Sequence, residues 1–324
     1  MPDLSPAPKR RGRLFRFGAA LVAMCAVAGY LVVQYLTGGA GTPGCKVVSG
    51  KSNGATYEFT PEQAVNAATI AAVGTGRGMP ERAVTIALAT ALQESALRNL
   101  GHGDRDSLGL FQQRPSQGWG TPKEILDPTY AANIFYKHLA KVPDYTKLPL
   151  TVAAQKVQRS GYPTAYAKHE PGAMLLAAAL TGQSPATLTC EGRPAATQAA
   201  GTDAVRTALV RDFGRDVLET ASAEVGAEAT PTPTPSASGS GSGRTVMLPV
   251  TETGSGSGRS LRQRGWQLAH WAVANASALH IERVSYAGRQ WTAGNTDSRW
   301  RTAGSQGAAG AEQAAGAVRI VTAQ

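Results

Sequence analysis

The sequence predicts a mostly α-helical domain, followed by a small α+β module and preceded by one membrane-spanning helix. Three observations carry this. An apolar run from Phe17 to about Leu36 follows the cations Lys9, Arg10, Arg11, Arg13 and Arg16. Between residues 60 and 185 apolar residues recur at helical spacing with little strand signal. Beyond residue 244 one helical pattern is followed by short alternating runs.

The elements follow in order. Residues 1–16 form a basic tail and 17–37 an apolar segment of roughly 20 residues, long enough to span a bilayer. The cation cluster stays in the cytoplasm, so the bulk of the chain lies outside a cell membrane crossed once. The alternative is secretion after signal cleavage, against which the run is long and lacks a clean A-x-A site. Residues 38–44 are a Gly/Thr/Pro spacer. Lys46–Val48 and Thr56–Phe59 flank Ser52-Asn53-Gly54 as a hairpin. Thr60-Pro-Glu-Gln63 reads as a capping box with Pro at the first helical position, opening a helix to about Val73. Gly74-Thr-Gly-Arg-Gly78 is expected to end it.

A second helix from about Pro80 or Glu81 carries apolar residues on all sides and is therefore buried. Asn99-Leu-Gly-His-Gly103 stops it. Further helices are expected at Pro128–Lys141, Thr151–Gln158, Ala165–His169 and Gly172–Leu180. The domain thus spans 45–190. A connector, 191–225, holds an amphipathic helix over Ala204–Leu218. Residues 226–243, rich in Pro, Gly and Ser, cannot build a core and read as a disordered tether. The module at 244–324 comprises strands at Val246–Val250, Glu282–Tyr286, Arg289–Trp291 and Val318–Thr322 around a helix at Leu261–Leu279. Trp266 and Trp271 in that helix read as core.

The 324 residues carry a net charge of +10 and a pI of about 9.7. Five of the cations, against the single acid Asp3, sit before the apolar run and serve topology. The rest, including Arg259, Arg262 and Arg264, suit anionic cell-wall polymers. No nucleic-acid partner is expected of an extracytoplasmic chain. Cys45 and Cys190 bracket the helical domain and outside the cell are expected to form a disulfide, the alternative being two free thiols. His102, His138, His169, His270 and His280 lack ligand spacing, so no metal is expected, nor any cofactor.

One carboxylate stands out. Glu94, in Ala91-Leu-Gln-Glu-Ser-Ala-Leu97, sits near the end of the apolar helix, ahead of the amide-rich loop Asp106-Ser-Leu-Gly-Leu-Phe-Gln-Gln113. Burial there disfavours the charged form, and a neutral carboxylic acid near pH 7 can protonate a glycosidic oxygen. The plain alternative is an i,i+4 pair with Arg98, which would lower the carboxyl pKa.

Glu94-Ser95, Gly109-Leu-Phe-Gln112 and Asn133 with Tyr136 and Leu139 together resemble the lysozyme-like superfamily, in particular soluble lytic transglycosylases of actinobacterial type. The resemblance covers about a fifth of the chain. It implies a lysozyme-like fold and cleavage of the β-1,4 bond between N-acetylmuramic acid and N-acetylglucosamine in peptidoglycan glycan strands. It implies Glu94 as acid then base, with Ser95, Gln112 and Tyr136 contacting substrate. A muramidase would add a second carboxylate, for which Asp104 and Asp106 are the candidates; their alternative is turn chemistry. A non-catalytic wall-binding or scaffold protein of the same fold is the other reading. The family's Tyr-Asn pair is missing around Tyr162, where the text is Val157-Gln-Arg-Ser-Gly-Tyr-Pro163.

Overall fold

The computed structural model describes residues 44–50, 54–192, 201–218, 244–250, 260–294, 299–303 and 316–323. The expected membrane segment at 17–37 and the tether at 226–243 lie outside them.

The described residues begin with strands β1 (Cys45–Val48) and β2 (Thr56–Phe59), then helices α1 (Pro61–Gly76) and α2 (Glu81–Ser95). A short α3 (Pro122–Ile125) precedes α4 (Pro128–Leu139) and α5 (Leu150–Gln158). A 3₁₀ turn at Ala165–His169 leads into α6 (Glu170–Leu180), strand β3 (Leu188–Cys190) and helix α7 (Gly201–Phe213). The last part holds β4 (Thr245–Pro249), α8 (Leu261–Ala274), α9 (Ala276–Leu279), β5 (Ile281–Tyr286), β6 (Arg289–Thr292), β7 (Arg301–Thr302) and β8 (Ala317–Thr322).

Among the described residues these strands form two sheets, ordered β2-β1-β3 and β4-β8-β5-β6-β7. This corrects the expected fold class. The described residues are not a helical domain with an α+β module hung behind it; both sheets and the helices between them share one continuous apolar core. Nor is a spanning helix found: among the described residues no helix is long and apolar enough to cross a membrane.

Local signals account for most elements. The Thr60 hydroxyl accepts from the Gln63 N–H while the Gln63 side chain accepts from the Thr60 N–H, a reciprocal cap on α1. Ser260 and Gln263 do the same for α8. One expectation fails instructively. Helix α1 runs through Gly74 to Gly76, because Gly74 is an interior packing residue: a Cβ there would sit 2.5 Å from the Tyr136 hydroxyl oxygen. Helix α2 ends earlier than Asn99, through Ala96 and Leu97, both at positive φ (52° and 58°).

Cys45 and Cys190 face each other across the β1–β3 ladder and form a disulfide. Closing a loop of 145 residues stabilises by about 4–5 kcal/mol on the chain-entropy model. Strand β3 has β1 on one side only, and its other edge is covered by the final part of the chain. Trp291 Nε1 donates to the Cys190 carbonyl at 2.9 Å, and Trp300 Nε1 donates to that of Leu188 at 2.8 Å. Two indole N–H groups thus satisfy carbonyls an edge strand would otherwise present to a passing chain.

Helix α8 packs on α1, α6 and β3. Gly182, at the end of α6, lets the backbone of Gln263 approach so closely that a Cβ would lie 1.9 Å from its carbonyl oxygen. The Gln267 amide donates to the Thr75 hydroxyl. Asp212, buried at the end of α7, accepts from Thr69 Oγ1 of α1 at 3.2 Å and Trp271 Nε1 of α8 at 2.8 Å, and is gripped by Arg211. Trp266 and Trp271 are core residues, as their spacing suggested.

His270 of α8 is fully buried and donates from Nδ1 to the Ala179 carbonyl at 2.8 Å. Its Nε2 has no hydrogen-bond partner among the described residues. Burial pushes the imidazole down from 6.5 to about 4, outweighing the opposing bond to Ala179. The unfolded chain therefore takes up this proton first as pH falls. Stability present above pH 6.5 is lost progressively down to pH 4, by about 3 kcal/mol from this group. Denaturant titrations across that window should show the loss, and His270→Asn should flatten it; an unchanged slope would contradict this assignment.

Candidate active site

The carboxyl of Glu94 lies one residue before the end of α2, half-buried. Its position is set by how the helix stops. The left-handed residues Ala96 and Leu97 are costly for side chains with a Cβ and need outside support. Helix α1 supplies it: Gln63 Nε2 donates to the Ala96 carbonyl at 2.9 Å and Asn66 Nδ2 donates to that of Leu97 at 2.8 Å. From the other side, the Ser95 hydroxyl is aimed at the carbonyls of Leu110 (2.8 Å) and Ala91 (3.1 Å), pinning the helix end to the Gly109–Gln112 loop. Phe111 of that loop stacks on Phe135 of α4 at 4.6 Å.

Desolvation raises the pKa of Glu94 above the ordinary carboxylate value. Hydrogen bonds from Tyr166 and Gln158 oppose that rise without cancelling it. The Tyr166 hydroxyl donates to Glu94 Oε1 at 2.8 Å. Gln158, the last residue of α5, also donates to the Phe111 carbonyl at 2.8 Å. Behind Tyr166, Ser160 and Gln155 extend the polar chain: Gln155 Nε2 donates to the Ser160 carbonyl at 2.8 Å, and the Ser160 hydroxyl donates back to Gln155 Oε1 at 3.2 Å. Among the described residues no cation pairs with Glu94, so the suggested partnership with Arg98 is not formed. A carboxyl held like this keeps its proton to higher pH than an exposed one and has one oxygen fixed by a neutral donor. It can give up a proton and take one back.

The other residues singled out from sequence divide. Ser95 adjoins Glu94, yet it is buried and its hydroxyl is spent on backbone carbonyls. Gln112 is only part-exposed, at a φ of 47°. Its amide points into its own loop, donating to the Gly109 carbonyl at 3.2 Å, while its Oε1 presses against Gly103. Tyr136 is a core residue, with 0 % of its surface exposed and its hydroxyl donating to the Ile70 carbonyl at 3.0 Å. A ring so enclosed cannot lie against a sugar, and the contact expected of it is withdrawn.

Asp106 is a loop staple. Its carboxylate accepts the Ser116 N–H at 2.9 Å and pairs with Arg114 at 2.7 Å. These bonds hold it far below the usual carboxylate range, so it has little appetite for a proton. Asp104 is exposed, and its backbone carbonyl closes the turn at Ser107. Neither is bonded to the Glu94 network. Trp119 stacks on His138 at 4.4 Å.

Tyr166 and Gln158 were missed in the sequence. Attention fell on Tyr162, which is 78 % exposed, four residues short of the tyrosine that meets the carboxyl. The 3₁₀ turn Ala165–His169 was the available signal, since it buries Tyr166 completely. Replacing Tyr166 by Phe removes a donor that favours the ionised carboxylate. The Glu94 pKa should therefore rise further in Tyr166→Phe, and a side-chain carboxyl titration followed by NMR should show it moving up; a downward move would contradict the geometry.

Comparison with known proteins bears on the last third of the chain. Residues 198–314 match a family model described as VldE, C-terminal domain. The matched stretch takes in α7, α8 and strands β4 to β7 of the second sheet, stops short of β8, and excludes Glu94 and its network. No curated protein matches the chain.

Proposed function

We propose that this protein is a peptidoglycan glycosidase of the lytic transglycosylase kind, with Glu94 as its single catalytic carboxyl group. The observation that carries the reading is the half-buried Glu94 carboxyl, its pKa raised by desolvation and one oxygen held by Tyr166. In the first step the protonated carboxyl gives its proton to the glycosidic oxygen as the bond from C1 of N-acetylmuramic acid breaks. In the second, the carboxylate takes the proton from the C6 hydroxyl of the same sugar as that oxygen bonds to C1. The product is a 1,6-anhydro sugar. No water is consumed, and Glu94 ends as it began.

Tyr166 suits both steps. Its hydroxyl stabilises the carboxylate between them and fixes one of its oxygens in place. The state of Asp106 favours this route over a hydrolase with two carboxylates. A group held ionised by Arg114 and Ser116 makes a poor general base for water.

The test is digestion of purified peptidoglycan with the products resolved by mass. Anhydro-muropeptides support the proposal. Reducing muropeptides without anhydro ends would replace it by a muramidase, and no release at all would leave a wall-binding protein.

A further inference from the structure

We propose that the solvent-facing side of the five-stranded sheet binds an anionic wall polymer of phosphodiester repeats, through Arg283, Arg301 and Arg319. The sheet has two unlike faces. Val246, Leu248, Val284, Trp291, Val318 and Ile320 turn inward and are buried. The alternate residues turn outward, and the register lines them up. Met247 faces Arg319, Arg319 faces Ser285, Ser285 faces Gln290, and Gln290 faces Arg301. That row crosses all five strands. Arg283 lies two residues along β5 from Ser285, one pleat further on the same face. Arg283, Arg301 and Arg319 are all exposed.

The charge on this part of the chain is mainly positive, and its cations are of one kind. Residues 244–324 carry nine arginines, no lysine and four acidic residues. Of those four only Glu282 is described, 4.0 Å from Arg283. Arginine presents a planar fork of donors that fits phosphate oxygens in pairs, which an ammonium group does not. Strands three spacings apart set Arg319 and Arg301 about 14 Å from each other, so the row suits an extended chain carrying repeated charge better than one small anion. Ser285 and Gln290 between them offer hydroxyl and amide groups to the sugar or polyol units. The disulfide points to an oxidising compartment, where nucleic acid is not the polyanion at hand. The choice of a wall polymer rests on the wall-directed reading given above; the binding itself does not need Glu94.

The experiment is sedimentation of the full chain with insoluble bacterial walls rich in phosphodiester polymer, and with the same walls stripped of it by hydrofluoric acid. Binding to intact walls should weaken as salt is raised, and stripping should cost about tenfold, as should the triple variant Arg283→Gln, Arg301→Gln, Arg319→Gln. Met247→Glu, which sets a negative charge opposite Arg319 without removing any arginine, should weaken binding in the same direction. It keeps the test decisive if the triple variant is unstable. Glu94→Gln should bind as the native chain does, so loss of glycan cleavage and loss of polymer binding are read separately. Equal binding to stripped walls, or native binding by both face variants, would overturn the proposal. Competition by duplex DNA as effective as by the soluble polymer at equal phosphate would overturn the choice of occupant.

Discussion

Glu94→Gln is expected to lower peptidoglycan cleavage by about 10³-fold or more while leaving the fold intact. General acid–base catalysis contributes about 10²–10⁴-fold, and here one group serves in both steps. The amide matches the carboxyl in shape, and its oxygen can still accept from Tyr166. It has no proton of suitable acidity to give and cannot take one back. Burying a neutral amide is also easier than burying a group that must ionise, so thermal stability should hold or rise slightly. The measurement is release of muropeptides at matched protein concentration, with circular dichroism as the check on folding. If the variant cleaves at the native rate, Glu94 is not the acid and the proposed function falls with it.

The second large effect concerns Asp212. Its carboxylate is fully enclosed and joins three segments: it takes two bonds from Arg211 (2.7 and 3.1 Å), one from Thr69 and one from Trp271. Asp212→Ala removes every one of these acceptors. The Trp271 N–H and the Thr69 hydroxyl would be left buried without partners, and the Arg211 guanidinium, itself only half-buried, would lose its counter-charge. The two buried donors left unpaired cost about 1–3 kcal/mol each, which with the lost contact to Arg211 comes to about 3–5 kcal/mol. For a chain of this size that corresponds to a fall in melting temperature of roughly 6–20 °C. Asp212→Asn keeps one acceptor and should fall less. Because the residue joins α1, α7 and α8, the native protein should also unfold in a single transition by calorimetry. Two separated transitions, or a shift below about 2 °C in Asp212→Ala, would show that the two halves do not depend on each other as the packing implies.

Elements marked by short-range chemistry were legible in the chain. Thr60-Pro-Glu-Gln63 announced the start of α1, because a capping box is complete within four residues. The strands around Ser52-Asn53-Gly54 and the pair at β5 and β6 followed from alternation and turn residues. Glu94 drew attention for the reason that matters in the fold, a carboxyl at the end of an apolar helix. The Cys45–Cys190 bond followed from their bracketing positions.

Other features were illegible because their causes lie far away in sequence. Gly74 reads as a helix breaker until Tyr136, some sixty residues on, is seen lying against it. Tyr136 itself reads as a sugar platform or, somewhat more readily, as core, and only its neighbours decide. Tyr166 reaches Glu94 across 72 residues, and no local pattern marks a hydroxyl for that distance.

The last part of the chain shows the division most plainly. Alternation along β4, β5 and β8 fixed by itself that one face of a sheet would be apolar and the other polar, since side chains on a strand turn to opposite sides. What the apolar face and the tryptophans would cover was not written there. The fold decided it: α8 with Trp271, Trp291 and Trp300 close over α1, α6 and the open edge of β3, where unpaired carbonyls and apolar area were waiting. Sequence determines which surfaces must leave water, because that depends on composition and period alone. Which surface each one meets depends on shape and hydrogen-bond complementarity between segments, and that exists only once the chain has folded.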